Sequence, residues 1–202
     1  MDAALKRAKL EELLDDVAQG VKLNQSCRFE EAKAVLLKAR SAALAWDHRS
    51  AFLDWQLGIA YDGMGNLVLA VHLIGSALKM DNFVPPFRSS FEIVVGKARA
   101  AMHALLIHNT GIRALYFALV EADGAGVDDH LLAARHYHQG QDQAAALEAA
   151  DAALKLDPEY GPAQMAKALI ASGLRWHVED TKEESALAFA QVLWAGLPKA
   201  EA

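Results

Sequence analysis

Apolar and small residues recur along this chain at the spacing of helix faces, and short polar turns separate them. The clearest stretch, from Leu57 to Leu78, reads LGIAYDGMGNLVLAVHLIGSAL. Its apolar positions fall at helical spacing on both sides of Gly65, which predicts two short helices joined as a hairpin. Alanine also recurs with a heptad spacing, at 70 and 77 and again at 146 and 153. Each alanine pair lies on one helical face, where small side chains let neighbouring helices pack closely.

The hairpin pattern repeats along the sequence, and Gly58 serves as its marker. Gly20 takes the place of Gly58 in an earlier unit, and Ala134 takes it in a later one, each with apolar residues at matching offsets. A hairpin of this length leaves one apolar face uncovered, so successive hairpins must stack to complete a core. The sequence therefore predicts an all-α helical repeat.

Glycine and proline indicate where the helices end. Gly65 and Gly140 mark the turns between paired helices. Gly65 lies seven residues after Gly58, whereas Gly140 lies only six residues after Ala134, the equivalent of Gly58. This offset predicts a different turn in the later unit. The Pro85-Pro86 pair is expected to end one unit and begin the next helix, because proline is tolerated in the first helical turn.

The repeated residues resemble those of the tetratricopeptide repeat (TPR) family. The matching residues are Leu57, Gly58, Tyr61, Gly65, Ala70 and Ala77 in one unit, and Tyr137, Ala146, Ala153 and Pro158 in another. The resemblance implies antiparallel helix pairs stacked into a right-handed superhelix whose first helices line a concave face. It predicts a single TPR-like domain of about ten helices over residues 1–202. The expected units are 13–46, 51–84, 85–126 (irregular), 127–160 and 161–197.

The two ends of the chain differ in their patterns. The first helix has leucines on one side and charges on the other, as a solvent-facing terminal helix requires. The last helix, ESALAFAQVLWAGL, is apolar around most of its circumference and needs burial on several sides. It is expected to fold back on the preceding units or to form a homodimer or partner contact. The contact residues would be Phe189, Leu193 and Trp194.

Composition narrows the class of protein. Cys27 is the single cysteine, which favours a reducing compartment, and no uncharged run approaches a membrane span. The net charge of −6 disfavours nucleic acid as the main partner. We expect a soluble, cytoplasmic protein that binds neither nucleic acid nor membrane.

Candidate chemistry is sparse. His130, His136 and His138 are close in sequence, but spacings of six and two do not place them on one helical face, so no metal site is expected. The sequence contains no Gly-rich phosphate loop, no GxSxG elbow and no HExxH motif. These observations predict a protein that is not an enzyme and needs no cofactor.

The phase of the repeat predicts the residues of the concave groove. Phe52 and Trp55 are the expected anchors for a partner, since aromatic side chains buried in an interface often dominate the binding energy. The alternative is that the neighbouring helices bury both side chains inside the protein. The chaperone-binding lysine and asparagine of some TPR proteins are absent, because Val17 and Val21 stand at those positions. The predicted groove residues are Phe52, Trp55, Ile59, Asp62, Ser89, Ile93, Lys97, Asp128, Leu131, Arg135, His138, Met165 and Leu169.

The resemblance implies a protein-interaction module, acting as an adaptor, scaffold or assembly factor, that binds a peptide or helix in this groove. A second interpretation starts from LGIAYDGMGNLVLAVHLIGSALKMDNFVPPF, which is similar to the small TPR chaperones of type III secretion that hold a hydrophobic translocator. That similarity fades after Phe87. A third interpretation is a self-assembling structural or sensory helical-repeat protein.

Overall fold

The computed structural model describes residues 3–104 and 110–173, and every regular element in these ranges is a helix. The all-α prediction is thus confirmed for the described residues. The predicted C-terminal helix, with Phe189, Leu193 and Trp194, lies outside them. The helices are α1 (Ala3–Gln25), α2 (Phe29–Leu44), α3 (Ala51–Gly63), α4 (Leu67–Met80), α5 (Pro85–Ala104), α6 (Thr110–Glu121), α7 (Val127–Gln139), α8 (Gln143–Leu156) and α9 (Gly161–Ala171).

The chain forms two compact units. Among the described residues, unit 1 comprises residues 3–101 and 117–124, and unit 2 comprises residues 102–104, 110–116 and 125–173. The predicted irregular repeat at 85–126 contains the two helices α5 and α6, and α5 begins at Pro85 as the proline pair indicated. The single domain over 1–202, its right-handed superhelix and the repeat boundaries stay predictions.

In unit 1 each helix from α1 to α4 packs on the next, and α1 also packs on α3. This is the arrangement of stacked hairpins, in which the first helix of one hairpin also contacts the first helix of the next. A Cβ atom added at Gly20 would lie 2.5 Å from the side chain of Leu36, and one added at Gly58 would lie 2.4 Å from that of Ile74. The same glycine-to-aliphatic contact therefore recurs in two successive hairpins.

In unit 2, α7 packs on α8, α8 on α9, and α7 also on α9. Ala134, Ala146, Ala150 and Ala153 are all fully buried in this unit. The register that aligns Ala134 with Gly58 also aligns Ala150 with Ile74. We call this alignment the repeat register. In the repeat register, two alanines of unit 2 occupy the positions that a glycine and an isoleucine occupy in unit 1.

The turns inside the hairpins share one backbone geometry. Cys27, Gly65 and Gln141 all adopt the left-handed conformation, with φ of 58°, 77° and 62°. Gln141 aligns with Gly65 in the repeat register, whereas Gly140 has an ordinary φ of −78°. The irregular turn predicted from Gly140 was therefore wrong, because the turn position is set by the backbone and a glutamine accepts the strained φ.

Side-chain caps complete these turns. Asn66 accepts a hydrogen bond from the backbone N–H of Leu69 at the start of α4, over 3.3 Å. Asp142 accepts one from Ala145 at the start of α8, over 3.2 Å. Both caps satisfy a backbone donor that the first helical turn leaves free. Asn66 and Asp142 also align in the repeat register, so the hairpin frame is the same in both units.

Candidate functional site

The predicted groove residues of unit 1 lie on α3 and α5, which two polar contacts join. The indole Nε1 of Trp55 donates to the hydroxyl of Ser90 over 3.0 Å. The ammonium of Lys97 lies 2.6 Å and 2.8 Å from the two carboxylate oxygens of Asp62. The two contacts have the same separation along the chain, so α3 and α5 pair in one register along this face. We call Phe52, Trp55, Ile59, Asp62, Ser89, Ile93 and Lys97 the unit 1 face.

An aromatic cluster forms one end of the unit 1 face. The rings of Phe52 and Trp55 meet edge to face with centroids 5.5 Å apart, and Trp55 contacts Phe87 at 5.2 Å. Phe87 is buried and Trp55 half-buried. Trp55 is therefore anchored on both its ring and its N–H, which fixes its orientation. Sequence reasoning did not assign Phe87 and Ser90 to this cluster; the Pro-Pro-Phe segment was the available signal.

The face leaves apolar surface open to solvent. Phe52 is 40% exposed and Ile93 is 58% exposed, while Ile59 is half-buried. Leu14 on α1 stands at the position of Phe52 when Gly20 is aligned with Gly58, and it is also 58% exposed. Because α1 packs on α3, the apolar surface extends to the helix that the sequence assigned only a capping role.

A buried polar contact joins α1 to α3 in unit 1. The side-chain amide of Asn24 on α1 donates to the backbone carbonyl and the side-chain carbonyl of Gln56 on α3, each over 2.9 Å. Both residues are buried. On α5, the hydroxyl of Ser89 donates to the backbone carbonyls of Pro85 and Pro86 in the first turn of the same helix. The first two helices that carry exposed apolar residues, α1 and α3, are therefore tied to each other by buried side chains.

The remaining predicted groove residues belong to unit 2. Asp128 accepts a hydrogen bond from the hydroxyl of Tyr160 over 2.9 Å, which links α7 to the start of α9. Leu131, Arg135, His138 and Met165 are half-buried. Leu169 is only 4% exposed and belongs to the core, so it offers a partner little surface. The predicted groove residues thus form two sets, one in each unit.

His130 is a buried residue of unit 2 that pairs with a tyrosine on another helix. His130 is buried, and its Nδ1 lies 2.8 Å from the hydroxyl of Tyr116. Burial lowers the pKa of His130, partly opposed by the charge of Asp129, and burial raises the pKa of Tyr116 to about 12.

Over residues 3–104 and 110–173, no three His, Cys, Asp or Glu side chains converge as a metal site. None of the helices in those ranges has the length and apolar character to cross a membrane.

Comparison with known proteins adds one structural similarity. No protein-family model matches the chain, and no curated protein matches it. Among solved structures, the chain is similar to the MamA 41-end chain from Desulfovibrio magneticus RS-1, at 20% sequence identity and a TM-score of 0.35. The similarity covers 89% of this chain and 94% of that one. A TM-score of this size supports no conclusion about family or function, so membership of the TPR family stays a prediction.

Proposed function

We propose that this protein is a protein-interaction module whose unit 1 face binds an apolar or amphipathic helical segment of a partner. The observation that carries the proposal is the exposed apolar surface of Phe52 and Ile93 beside a fixed aromatic cluster. Soluble proteins rarely leave large apolar side chains together on a rigid surface without an interaction to make. A helix lying across such a surface anchors through side chains at i, i+3, i+4 and i+7.

The roles of the residues follow from their burial. Phe52, Ile93 and Leu14 supply the apolar contact area, because their side chains are exposed. Trp55 contributes mainly by holding the surface in place, since its N–H and ring are already engaged by Ser90 and Phe87. The Asp62–Lys97 pair offers a charged edge at the other end of the face. Its exposure means that it sets the orientation of the partner more than the affinity.

The experiment measures binding of a labelled amphipathic helical peptide of about 18 residues by fluorescence anisotropy. Phe52→Ala with Ile93→Ala is expected to weaken binding about 10- to 100-fold, since the two truncations together remove about 1.4–2.8 kcal/mol of apolar contact. These side chains are exposed, so the far-ultraviolet circular dichroism should not change. A matched control is Leu69→Ala with Phe83→Ala, which truncates two exposed apolar residues outside α3 and α5. Equal binding by the Phe52/Ile93 variant and the wild type would rule out the unit 1 face.

The two other interpretations stay predictions. A secretion-type chaperone would co-purify with a membrane-inserting translocator and keep it in solution, whereas a general adaptor would not. Self-assembly through Phe189, Leu193 and Trp194 rests on a segment outside the described residues. Light scattering before and after truncation at Gly173 tests it, and an unchanged molar mass would dismiss it.

A further inference from the structure

Arg135 has an unused hydrogen-bonding edge. Its Nε and Nη2 atoms are enclosed, and neither meets an acceptor in the described part of the chain. Guanidinium donors that lose water without gaining an acceptor destabilise a folded protein. Such a group in a native structure calls for an explanation, and a partner that supplies the acceptor is one. Arg135 is half-buried as a residue, so part of it reaches solvent.

The two unused donors are the pair that recognises a carboxylate. Nε–H and one N–H of Nη2 point from the same edge of the planar guanidinium, at the spacing of two carboxylate oxygens. Arg28 uses this edge elsewhere in the protein: its Nε lies 2.7 Å from one carboxylate oxygen of Glu31, and its Nη2 lies 2.5 Å from the other. The fork that is filled at Arg28 is empty at Arg135.

The nearby acids of α7 already have other partners. Asp128 accepts from Tyr160, and buried Asp129 accepts from the backbone N–H of Gly126 over 2.7 Å. The fold itself does not require an arginine at this position. In the repeat register the equivalent residue is Ile59, in the same hairpin frame. The charge at 135 is therefore additional to what the helix packing needs.

We propose that Arg135 binds a side-chain carboxylate of an acidic peptide segment on a protein partner. Leu131 and His138 lie one helical turn before and one after Arg135, so they share its helical face and flank the carboxylate. A peptide carries side chains for those flanking positions, whereas a free anion does not. The fork is enclosed in this structure, so binding turns the guanidinium outward about the flexible bonds of the arginine side chain. This second site is independent of the unit 1 face.

The test titrates the full-length protein with a fluorescein-labelled peptide of alternating glutamate and leucine. Arg135→Ile copies the residue at 59 and is expected to reduce affinity about tenfold or more, because it removes a bidentate charged contact. Lys155→Ile is the matched control: it removes the same charge and introduces the same side chain at an exposed position of α8. It should leave affinity within about twofold of wild type, as an exposed charge contributes little.

A second variant separates the fork from its charge. Arg135→Lys keeps the charge and loses the planar edge, so its affinity should fall between those of wild type and Arg135→Ile. Arg135→Ile should also melt no lower than wild type, because it removes two unsatisfied buried donors. Wild-type affinity in Arg135→Lys, or an equal loss in Lys155→Ile, would overturn the proposal. So would an Arg135-dependent thermal shift with inorganic phosphate combined with no peptide binding, since that outcome identifies a site for free anions.

Discussion

Unit 1 and unit 2 contain the same hairpin frame filled with different side chains. The ion pair in which Arg40 contacts Asp54 over 2.7 Å joins α2 to α3. In the repeat register these two residues align with Tyr116 and His130, whose side chains meet over 2.8 Å between α6 and α7. A charged pair in one unit thus occupies the place of a neutral pair in the other.

This difference teaches which positions define the fold and which are free to carry function. The turn, the cap and the polar link between hairpins recur at fixed offsets, although the residue types change. The exposed faces do not match: Phe52, Trp55 and Ile59 stand where unit 2 has Asp128, Leu131 and Arg135. The frame is common to both units, whereas the residues of the two faces differ, as the two binding proposals require.

The largest expected effect tests whether the Gly58 and Ile74 pair of unit 1 is equivalent to the Ala134 and Ala150 pair of unit 2. Ile74→Ala should destabilise the protein by about 2–5 kcal/mol through loss of apolar contact and an unfilled cavity. Gly58→Ala should cost about 1–3 kcal/mol, because its new Cβ would overlap the side chain of Ile74. The double variant copies the Ala134 and Ala150 pair of unit 2, so its loss should be smaller than the sum of the two. Urea unfolding of all four proteins measures this coupling, and strictly additive losses would contradict the equivalence.

The next effect concerns the charged pair of unit 1. Asp54→Ala leaves Arg40 without its carboxylate and should destabilise the protein by about 2–3 kcal/mol, a value reduced because the side chain of Arg40 is partly exposed. Arg40→Tyr with Asp54→His copies the pair of unit 2. It should recover part of the lost stability in the same denaturation assay. A double variant less stable than Asp54→Ala would show that the two pairs are not interchangeable.

The His130–Tyr116 pair of unit 2 should make the stability of the protein depend on pH. The pKa of His130 is lowered by burial, so below about pH 6.5 the unfolded chain takes up a proton that the folded chain resists, and stability falls as the pH falls. The pKa of Tyr116 is raised to about 12, so stability is lost again as the pH rises from about 10 to about 12.

Urea midpoints measured across both pH ranges check this pattern. His130→Leu should flatten the acid limb, and Tyr116→Phe should flatten the alkaline limb, because each removes the group that titrates. An acid limb of unchanged steepness in His130→Leu would show that another group is responsible.

The smallest effect tests the shared turn. Gln141→Gly should stabilise the protein by about 0.5–1 kcal/mol, since glycine adopts φ of 62° without the strain that a side chain brings. The control is Gln139→Gly at the last residue of α7, which should destabilise the protein by up to about 1 kcal/mol. Thermal melting compares the two. A destabilised Gln141→Gly would mean that the glutamine side chain stabilises the turn beyond its backbone cost.

Sequence patterns predicted the positions of the helical hairpins well, but they predicted the side-chain contacts between hairpins poorly. Helical spacing, the turn marked by Gly65 and the proline pair located α3, α4 and the start of α5, because these features act locally. The polar links between hairpins escaped prediction, since Arg40 with Asp54 and Tyr116 with His130 lie on different helices and meet only after those helices pack. The turn prediction from Gly140 was wrong for a related reason. A left-handed backbone position favours glycine, but glutamine can occupy that position when the surrounding helices fix the conformation of the turn.

The site residues follow the same division. The helical phase placed Phe52 and Ile93 on an exposed face, but it also assigned Leu169 to the groove, although Leu169 is buried in unit 2. Phase gives the direction of a side chain from its own helix, whereas burial depends on which neighbouring helix covers it. The unpaired edge of Arg135 depends on the distances to all neighbouring acceptors, which no spacing in the sequence reveals.

Hydrogen–deuterium exchange of the full-length protein, with and without the amphipathic helical peptide, tests most directly whether the two faces differ in partner. We predict slowed exchange in α3 and α5 of unit 1, where Phe52 and Ile93 lie, and no change in α7. Slowed exchange in α7 with none in α3 and α5 would contradict the account, because the apolar partner would then bind the face that carries Arg135.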